Sequence, residues 1–456
     1  MTDRSSLKAL ANDLSGDVID TIDREYPAGR PSFYYEYDER RPMATVRVAD
    51  ASDVSQTIAF ARETGVPVAV RGGGHSIAGH SSLADGLIID LSALTDIDID
   101  VEGRLAQAGG GVLAGDYTVE AGRHGLATGF GDTPTVGIAG LTMGGGVGFL
   151  HRKLGLTIDS LLAAEIVTAD GEIRMIDDEN DPDLVWAIRG GGGNFGVVTR
   201  LHYRLHPIDV VVGGMLILPA SPKVVAGFVT AAREASDDLS VIGGVAVAPP
   251  APFLPPEVHG QMVVLGLMAH AGDADTADAE LDRFRGLATP LVDGLHPMRY
   301  PEIFAGAEPP RPAAISMRSI VSDEFTSDDA AAVVDQLSEG DADMNVVQIR
   351  VLGGAVARVP VEATAFAHRH RAMIVNVAAA YEDPTRRAEQ EVWVEGLAGT
   401  LQHGGPGAYI NFLGDDSPEA VRAAYPDNTW ERLVEIKGKY DQDNLFSSNH
   451  NIAPRR

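Results

Sequence analysis

Where the glycines fall constrains this chain more than any other feature. Of its 51 glycines, the dense groups are Gly72–Gly74, Gly109–Gly111, Gly137 with Gly140, Gly144–Gly148, and Gly190–Gly193 with Gly196. Without a Cβ, backbone can approach a ligand closely and turn through positive φ, so that its N–H groups face phosphate oxygens. A tight turn explains one such cluster. Five of them, all between Gly72 and Gly196, point to one long, anionic, multi-part ligand, and a dinucleotide has that shape.

The run Gly191-Gly192-Gly193-Asn194-Phe195-Gly196 also matches G-x-G-x-x-G letter for letter. That fingerprint works only where it follows a strand and opens a helix. Here the pattern places a helix before it, from Asp181-Pro182, and a strand, Val197–Tyr203, after it. The inverted order argues against a nicotinamide-dinucleotide fold, which would bind its cofactor reversibly and show no yellow colour.

Strands and helices alternate around these clusters. Thr45–Ala49, Val66–Arg71, Leu87–Leu91, Leu105–Ala108 and Phe195–Leu205 read as strands. Ser52 and Asp53 offer a cap to a helix carrying Val54, Ile58 and Ala61, and Gly65 stops it. Asp116–His124 reads as a helix ending at Gly125. Asp170-Gly171 between Ala164–Thr168 and Glu172–Ile176 is a hairpin signal. After Pro207 the texture changes. Asp275–Leu287, Ser327–Leu337 and Thr385–Leu401 have helical spacing, with strand candidates Val241–Val247, Met262–His270 and Val346–Leu352. Proline stretches Pro249–Pro256 and Pro309–Pro312 are loops. From Tyr409 the tail is expected to form a strand and then a helix, Asn428–Tyr440. The expected fold class is α+β, in three stretches: 1–208 holding the dinucleotide, 209–405 forming a substrate region of antiparallel sheet with flanking helices, and 406–456 returning to the first.

Composition excludes several functions. The absence of cysteine removes disulfides, zinc–thiolate sites, iron–sulfur clusters and cysteine nucleophiles. A formal net charge of -29 repels nucleic acid and anionic membrane. Only five of the 36 basic residues are lysine; an acid-rich, lysine-poor surface suits high salt, and a genome that prefers arginine codons produces the same bias. No apolar run approaches the roughly 20 residues that span a bilayer, and the first residues do not read as a signal peptide. The expectation is a cytoplasmic monomer or homodimer. His368-Arg369-His370 invites a metal, but i,i+2 positions on a helix diverge and no third ligand is evident, so no metal is expected.

The most informative segment is Arg71–Ser81, which reads Arg-Gly-Gly-Gly-His-Ser-Ile-Ala-Gly-His-Ser. A glycine loop directly after a buried strand sets His75 against whatever the loop cradles, whereas His80 is open to a purely structural reading. This segment resembles the flavin-attachment loop of the berberine-bridge-enzyme-like oxidases, in the p-cresol methylhydroxylase/vanillyl-alcohol oxidase superfamily. Arg40-Arg41-Pro42, Gly137–Gly148 followed by Arg152–Asp159, Val167–Gly171, Asp183–Val198, Tyr409–Phe412 and Lys439–Ile452 resemble further blocks of that family. The similarity is dense over about 33–207 and 405–454 and thin between them, where substrate specificity would lie.

The resemblance implies FAD, bonded at its 8α carbon to His75. It also implies cofactor contacts from Arg71, Gly72, Gly73, Gly74, Ser76, Gly79, His80 and Ser81. A second set is Thr135, Gly137, Gly140, Gly144, Gly145, Gly148 and Asp159, and a third is Gly196, Val198, Asn411, Asn449 and Asn451. Many relatives carry a second flavin bond from a cysteine in Gly-x-Cys-Pro-x-Val-Gly; here Thr133 stands at that place, so single attachment is expected. Phe412 replaces the family's usual tyrosine.

The implied reaction is hydride removal from a C–H next to O or N of a small organic substrate (sugar, alcohol, amine or secondary metabolite), with dioxygen as acceptor. A dehydrogenase using another acceptor and a non-catalytic flavin carrier remain alternatives. Tyr409 is the expected catalytic residue, with a packing role equally open. Gln348 and Arg350, alternating on one strand, and Tyr381 are the expected substrate contacts. Arg350 could meet negative charge on reduced flavin or substrate, or pair at the surface.

Overall fold

The computed structural model describes residues 4–26, 32–250, 254–304 and 311–455; parts of both proline stretches, 251–253 and 309–310, lie outside the described residues. Three main sheets carry the architecture. The first has four strands in the order Asp17–Asp20, Ala44–Arg47, Leu87–Asp90, Val68–Arg71, the last three parallel. Helix Ala51–Thr64 covers it and buries Val54, Ile58 and Ala61 against Val46, Val68 and Leu87. Full burial of such side chains contributes roughly 1.5–3 kcal/mol each. The cap of this helix is Asp50, not Ser52 or Asp53: its carboxylate accepts from the Asp53 N–H. Asp53 turns back instead to accept from Ser15, Gly16 and Ala49 N–H groups. Gly65 closes the helix at φ 70°.

The second sheet is antiparallel and five-stranded: Ile97–Asp100, Leu105–Gly109, Val197–Arg204, Leu161–Val167, Ile173–Asp177. The Asp170-Gly171 hairpin forms as expected, with Gly171 at φ 84°. Helix Pro182–Ile188 precedes Gly190–Gly196 and strand Val197–Arg204 follows, so the G-x-G-x-x-G run is inverted in space as in sequence.

The third sheet is antiparallel. Its main path runs Val292–Asp293, Val210–Pro219, Met262–His270, Leu239–Val247, Met344–Val351, Met373–Tyr381, Ala314–Ser322. Helices Pro222–Glu234, Ser327–Glu339 and Arg387–Leu401 pack one face into a single core. The spacing did not reveal strands Val210–Pro219, Ala314–Ser322 and Met373–Tyr381. In Met373–Tyr381 every residue is buried, and without a polar face there is no alternation to read.

The tail departs from expectation. Ile410–Phe412 is one 3₁₀ turn, not a strand, followed by helices Pro418–Ala424 and Asp427–Tyr440. Ala408, Ile410, Leu433 and Ile452 share the core of the five-stranded sheet, so the chain ends where its first half began. No helix among the described residues is long and apolar enough to cross a membrane.

Candidate active site

A cavity of about 380 Å³ runs between the first two sheets and the returning tail, a size within the usual range for ligand sites. Of the expected residues, Gly72, Gly73, Gly74, His75, Ser76, His80 and Ser81 line it; so do Gly137, Gly140, Gly196, Val198, Tyr409, Asn411 and Asn449. No lysine or arginine lines it among the described residues. An anion there would be held by backbone N–H groups. The apolar lining includes Val68, Val70, Leu91 and Val136.

His75 is held on two sides. Phe33 stacks on its ring with centroids 4.2 Å apart and planes at 22°. The Phe33 N–H and the Ser32 hydroxyl both donate to the Gly74 carbonyl, which sets that stack. Nε2 lies 3.0 Å from the Thr135 hydroxyl. Burial pulls the imidazole pKa down to about 4, so the ring is neutral near pH 7 and a nitrogen lone pair is available.

The glycines divide into two kinds. A Cβ on Gly140 or Gly193 would meet nothing within 4 Å, and Gly192 would touch only the Asn194 amide at 3.9 Å. These positions open onto the cavity, where a side chain would take ligand space. Other glycines make room for protein. Gly73 and Gly137 press against each other, Gly148 against the Phe130 carbonyl, and Gly144 against the Asn411 amide. In the run Gly144–Gly148 only Val147 lines the cavity, and its glycines make room for protein. The run admits Tyr409 and Asn411: the Gly146 N–H donates to the Tyr409 hydroxyl at 2.8 Å, and Asn411 donates to Tyr409 at 2.9 Å and to the Leu141 carbonyl at 2.8 Å.

Tyr409 is buried at 2% exposure. Burial pushes its pKa up to about 12, against the opposing effect of those two donors. The phenol keeps its proton at neutral pH and, with two donors already on its oxygen, has that proton to offer.

Several expected contacts sit elsewhere. Arg71 turns from the cavity to pair with Asp90 at 2.8 Å, a buried link between neighbouring parallel strands. Asp159 caps its own short helix and takes a two-pronged contact from fully buried Arg369, at 2.7 and 3.0 Å. Gly79, at φ 73°, packs under the Tyr37 ring. Thr135, Gly144, Gly145, Gly148 and Asn451 stand behind the lining. The Tyr381 hydroxyl bonds Ser316 at 3.0 Å and is not part of the wall.

Arg350 is neither a surface residue nor a direct cavity contact: at 1% exposure it pairs with Asp132 and lies 4.5 Å over the Phe412 ring. Gln348 accepts from Arg350 and from Asn376. Asp132 and Phe412 do line the cavity, so this polar cluster reaches it through them. In the sequence, Asp132 is simply the variable residue of the Gly131–Gly137 stretch, and Phe33 has no signal at all. His368 is buried and His370 exposed, on a loop and turn and not on the helix that the spacing argument assumed.

Residues 42–177 match the family model described as FAD binding domain, and 408–453 the one described as Berberine and berberine like. The chain is 31% identical over 428 residues to (R)-6-hydroxynicotine oxidase of Paenarthrobacter nicotinovorans, covering 91% of this chain and 92% of that one. It is 30% identical to the uncharacterized FAD-linked oxidoreductase YvdP of Bacillus subtilis, covering 97% and 99%. The crystal structure of 6-hydroxy-D-nicotine oxidase from Arthrobacter nicotinovorans superposes with a TM-score of 0.86 at 26% identity, over 97% of this chain and 98% of that chain. Xylooligosaccharide oxidase from Myceliophthora thermophila, solved with xylobiose, gives a TM-score of 0.84 at 22% identity, over 99% and 100%.

Proposed function

The chain belongs to the berberine-bridge-enzyme-like family of FAD-dependent oxidoreductases, and from that premise we propose that it is an oxidase with FAD attached through His75 alone. The observation that carries this reading is the state of His75: neutral, desolvated, stacked on Phe33, with Nε2 engaged by Thr135 and Nδ1 left without a protein partner among the described residues. A neutral imidazole with one engaged nitrogen presents the other as a nucleophile in a fixed direction. Thr133 lines the cavity where relatives place a cysteine, and its hydroxyl gives no thioether, so a second bond is absent.

The residues fit the cofactor. Gly140 and Gly193 leave open space along a wall without cationic side chains, and Asn449 directs a buried, unpartnered Oδ1 at the lining. Bound FAD supplies hydride acceptance from a substrate C–H and return of the electrons to dioxygen. The chain does the rest. Phe33, Tyr34 and Ile77 give an apolar approach that excludes water. Tyr409 stays protonated and donates a hydrogen bond to the substrate heteroatom. Asp132, the only carboxylate lining the cavity among the described residues, receives the proton that leaves O–H or N–H, with Arg350 fixing its position. The substrate is a small organic molecule with a C–H beside O or N: an amine, alcohol, sugar or secondary metabolite. Residues 209–405 shape its site, between the cofactor-holding stretches 1–208 and 406–456. The enzyme works in the cytoplasm.

The test is an absorbance spectrum of the purified protein before and after acid precipitation. Flavin colour is expected to stay with the pellet and to move to the supernatant in His75→Ala. Colour that washes out of the native protein overturns the covalent assignment.

A further inference from the structure

Three side chains with metal-ligating atoms, from three distant stretches of the chain, meet beside the cavity, two of them lining it, at a point that no step of the proposed reaction uses. His80 comes from the loop after strand Val68–Arg71, Asp416 from the turn before helix Pro418–Ala424, and His450 from the last segment. Their ligand atoms all lie within 4.8 Å of one another. His80 Nε2 is 2.9 and 3.0 Å from the two Asp416 oxygens, so it faces the carboxylate as a whole and not one oxygen. His450 Nδ1 is 2.9 Å from Asp416 Oδ1. Yet it is also a buried polar atom without a hydrogen-bond partner, because the contact is short but not directed as an N–H···O bond. The two imidazoles cross at 88° with centroids 4.5 Å apart.

Three ligand atoms this close can converge on a common centre, where an ion would take the place of the histidine contacts to Asp416. In a tetrahedral shell, bonds of about 2.0–2.2 Å from nitrogen and oxygen to a divalent ion put neighbouring ligands about 3.3–3.6 Å apart, a span these three side chains reach with small shifts. Among the described residues Asp416 pairs with the two histidines and with no lysine or arginine. Its side chain is 54% exposed, which gives an ion a path in and lets water complete the shell.

We propose that His80, Asp416 and His450 form a binding site for one divalent transition-metal ion of the zinc class. Two imidazoles with one carboxylate favour zinc and its neighbours over magnesium or calcium, which prefer all-oxygen shells. The ion ties the loop that carries His75 to the C-terminal segment, five residues beyond the flavin-attachment position. It takes no part in hydride transfer.

The experiment uses the full chain, untagged and flavin-loaded, stripped with a chelator and then titrated with zinc chloride by calorimetry. One ion per chain is expected, with a higher thermal midpoint in the zinc-loaded protein. Asp416→Ala and the closer mimic Asp416→Asn are expected to weaken binding at least about a hundredfold, since loss of even an outer-shell partner costs 10–100-fold. Absence of saturable zinc uptake, or uptake undiminished in both Asp416 variants, overturns the site.

Discussion

The cavity has two kinds of wall. On one side much of the wall is backbone, interspersed with apolar side chains such as Val68 and Leu91: Gly72–Gly74, Gly137, Gly140 and Gly192–Gly193 present main chain, and the arginine next to Gly72, Arg71, is turned away to Asp90. At the other edge the wall is side chain. Asp132 and Phe412 face inward, with Arg350, Gln348 and Asn376 of the third sheet stacked behind them. Recognition by backbone has no side chain to alter and suits a ligand that never changes. A buried cluster of charged and amide side chains can be retuned one residue at a time, and this one still carries an unpartnered Arg350 Nε and Asn376 Oδ1. Under the proposed function, specificity sits at the second wall.

Four changes test that contrast, in falling order of effect. Gly148→Ala drives a Cβ into the Phe130 carbonyl, backbone against backbone; we expect more than about 5 kcal/mol of destabilisation, seen as failure to accumulate folded protein. Arg350→Ala leaves Asp132 beside a vacated buried pocket and should cost about 3–5 kcal/mol in urea unfolding, with covalent flavin retained. A variant that instead loses its flavin would merge the two walls into one.

The third test is pH. Burial holds His151 and His368 at about 4, below the ordinary 6.5. A depressed histidine contributes stability that is present above the unfolded pKa and lost as pH falls toward the folded one. Stability should therefore decline between about pH 6.5 and pH 4, by roughly 3 kcal/mol for the fully buried His151; a flat profile over that window would contradict their burial as neutral rings. The fourth change is the smallest in stability. Gly140→Val fills cavity space, since a Cβ at this position meets no protein atom within 4 Å. Its unfolding free energy should match the parent to within about 1 kcal/mol, while bound flavin falls sharply. Unchanged flavin content would mean that Gly140 does not border the cofactor.

Much of the first half was legible in the residues. Strands Val68–Arg71 and Leu87–Asp90, the Asp170-Gly171 hairpin and helix Ala51–Thr64 follow from local pattern, since one-sided burial writes its period into the sequence. The uniformly buried strand Met373–Tyr381 left no period to read. The turn at Ile410–Phe412 was mistaken for a strand, because a short apolar run reads alike in either state.

By itself, then, the sequence determined the loop of His75, the inverted glycine fingerprint at Gly191–Gly196 and, through Thr133, the absence of a cysteine attachment. Only the tertiary structure decided which glycines face a ligand and which face protein, that Asp159 serves Arg369, that Arg350 serves Asp132, and that His80 meets Asp416 and His450. Spacing reports neighbours within one turn or one strand. The Asp132–Arg350 and His80–Asp416 contacts span 218 and 336 residues, and they exist only because separate sheets and the returning tail pack together.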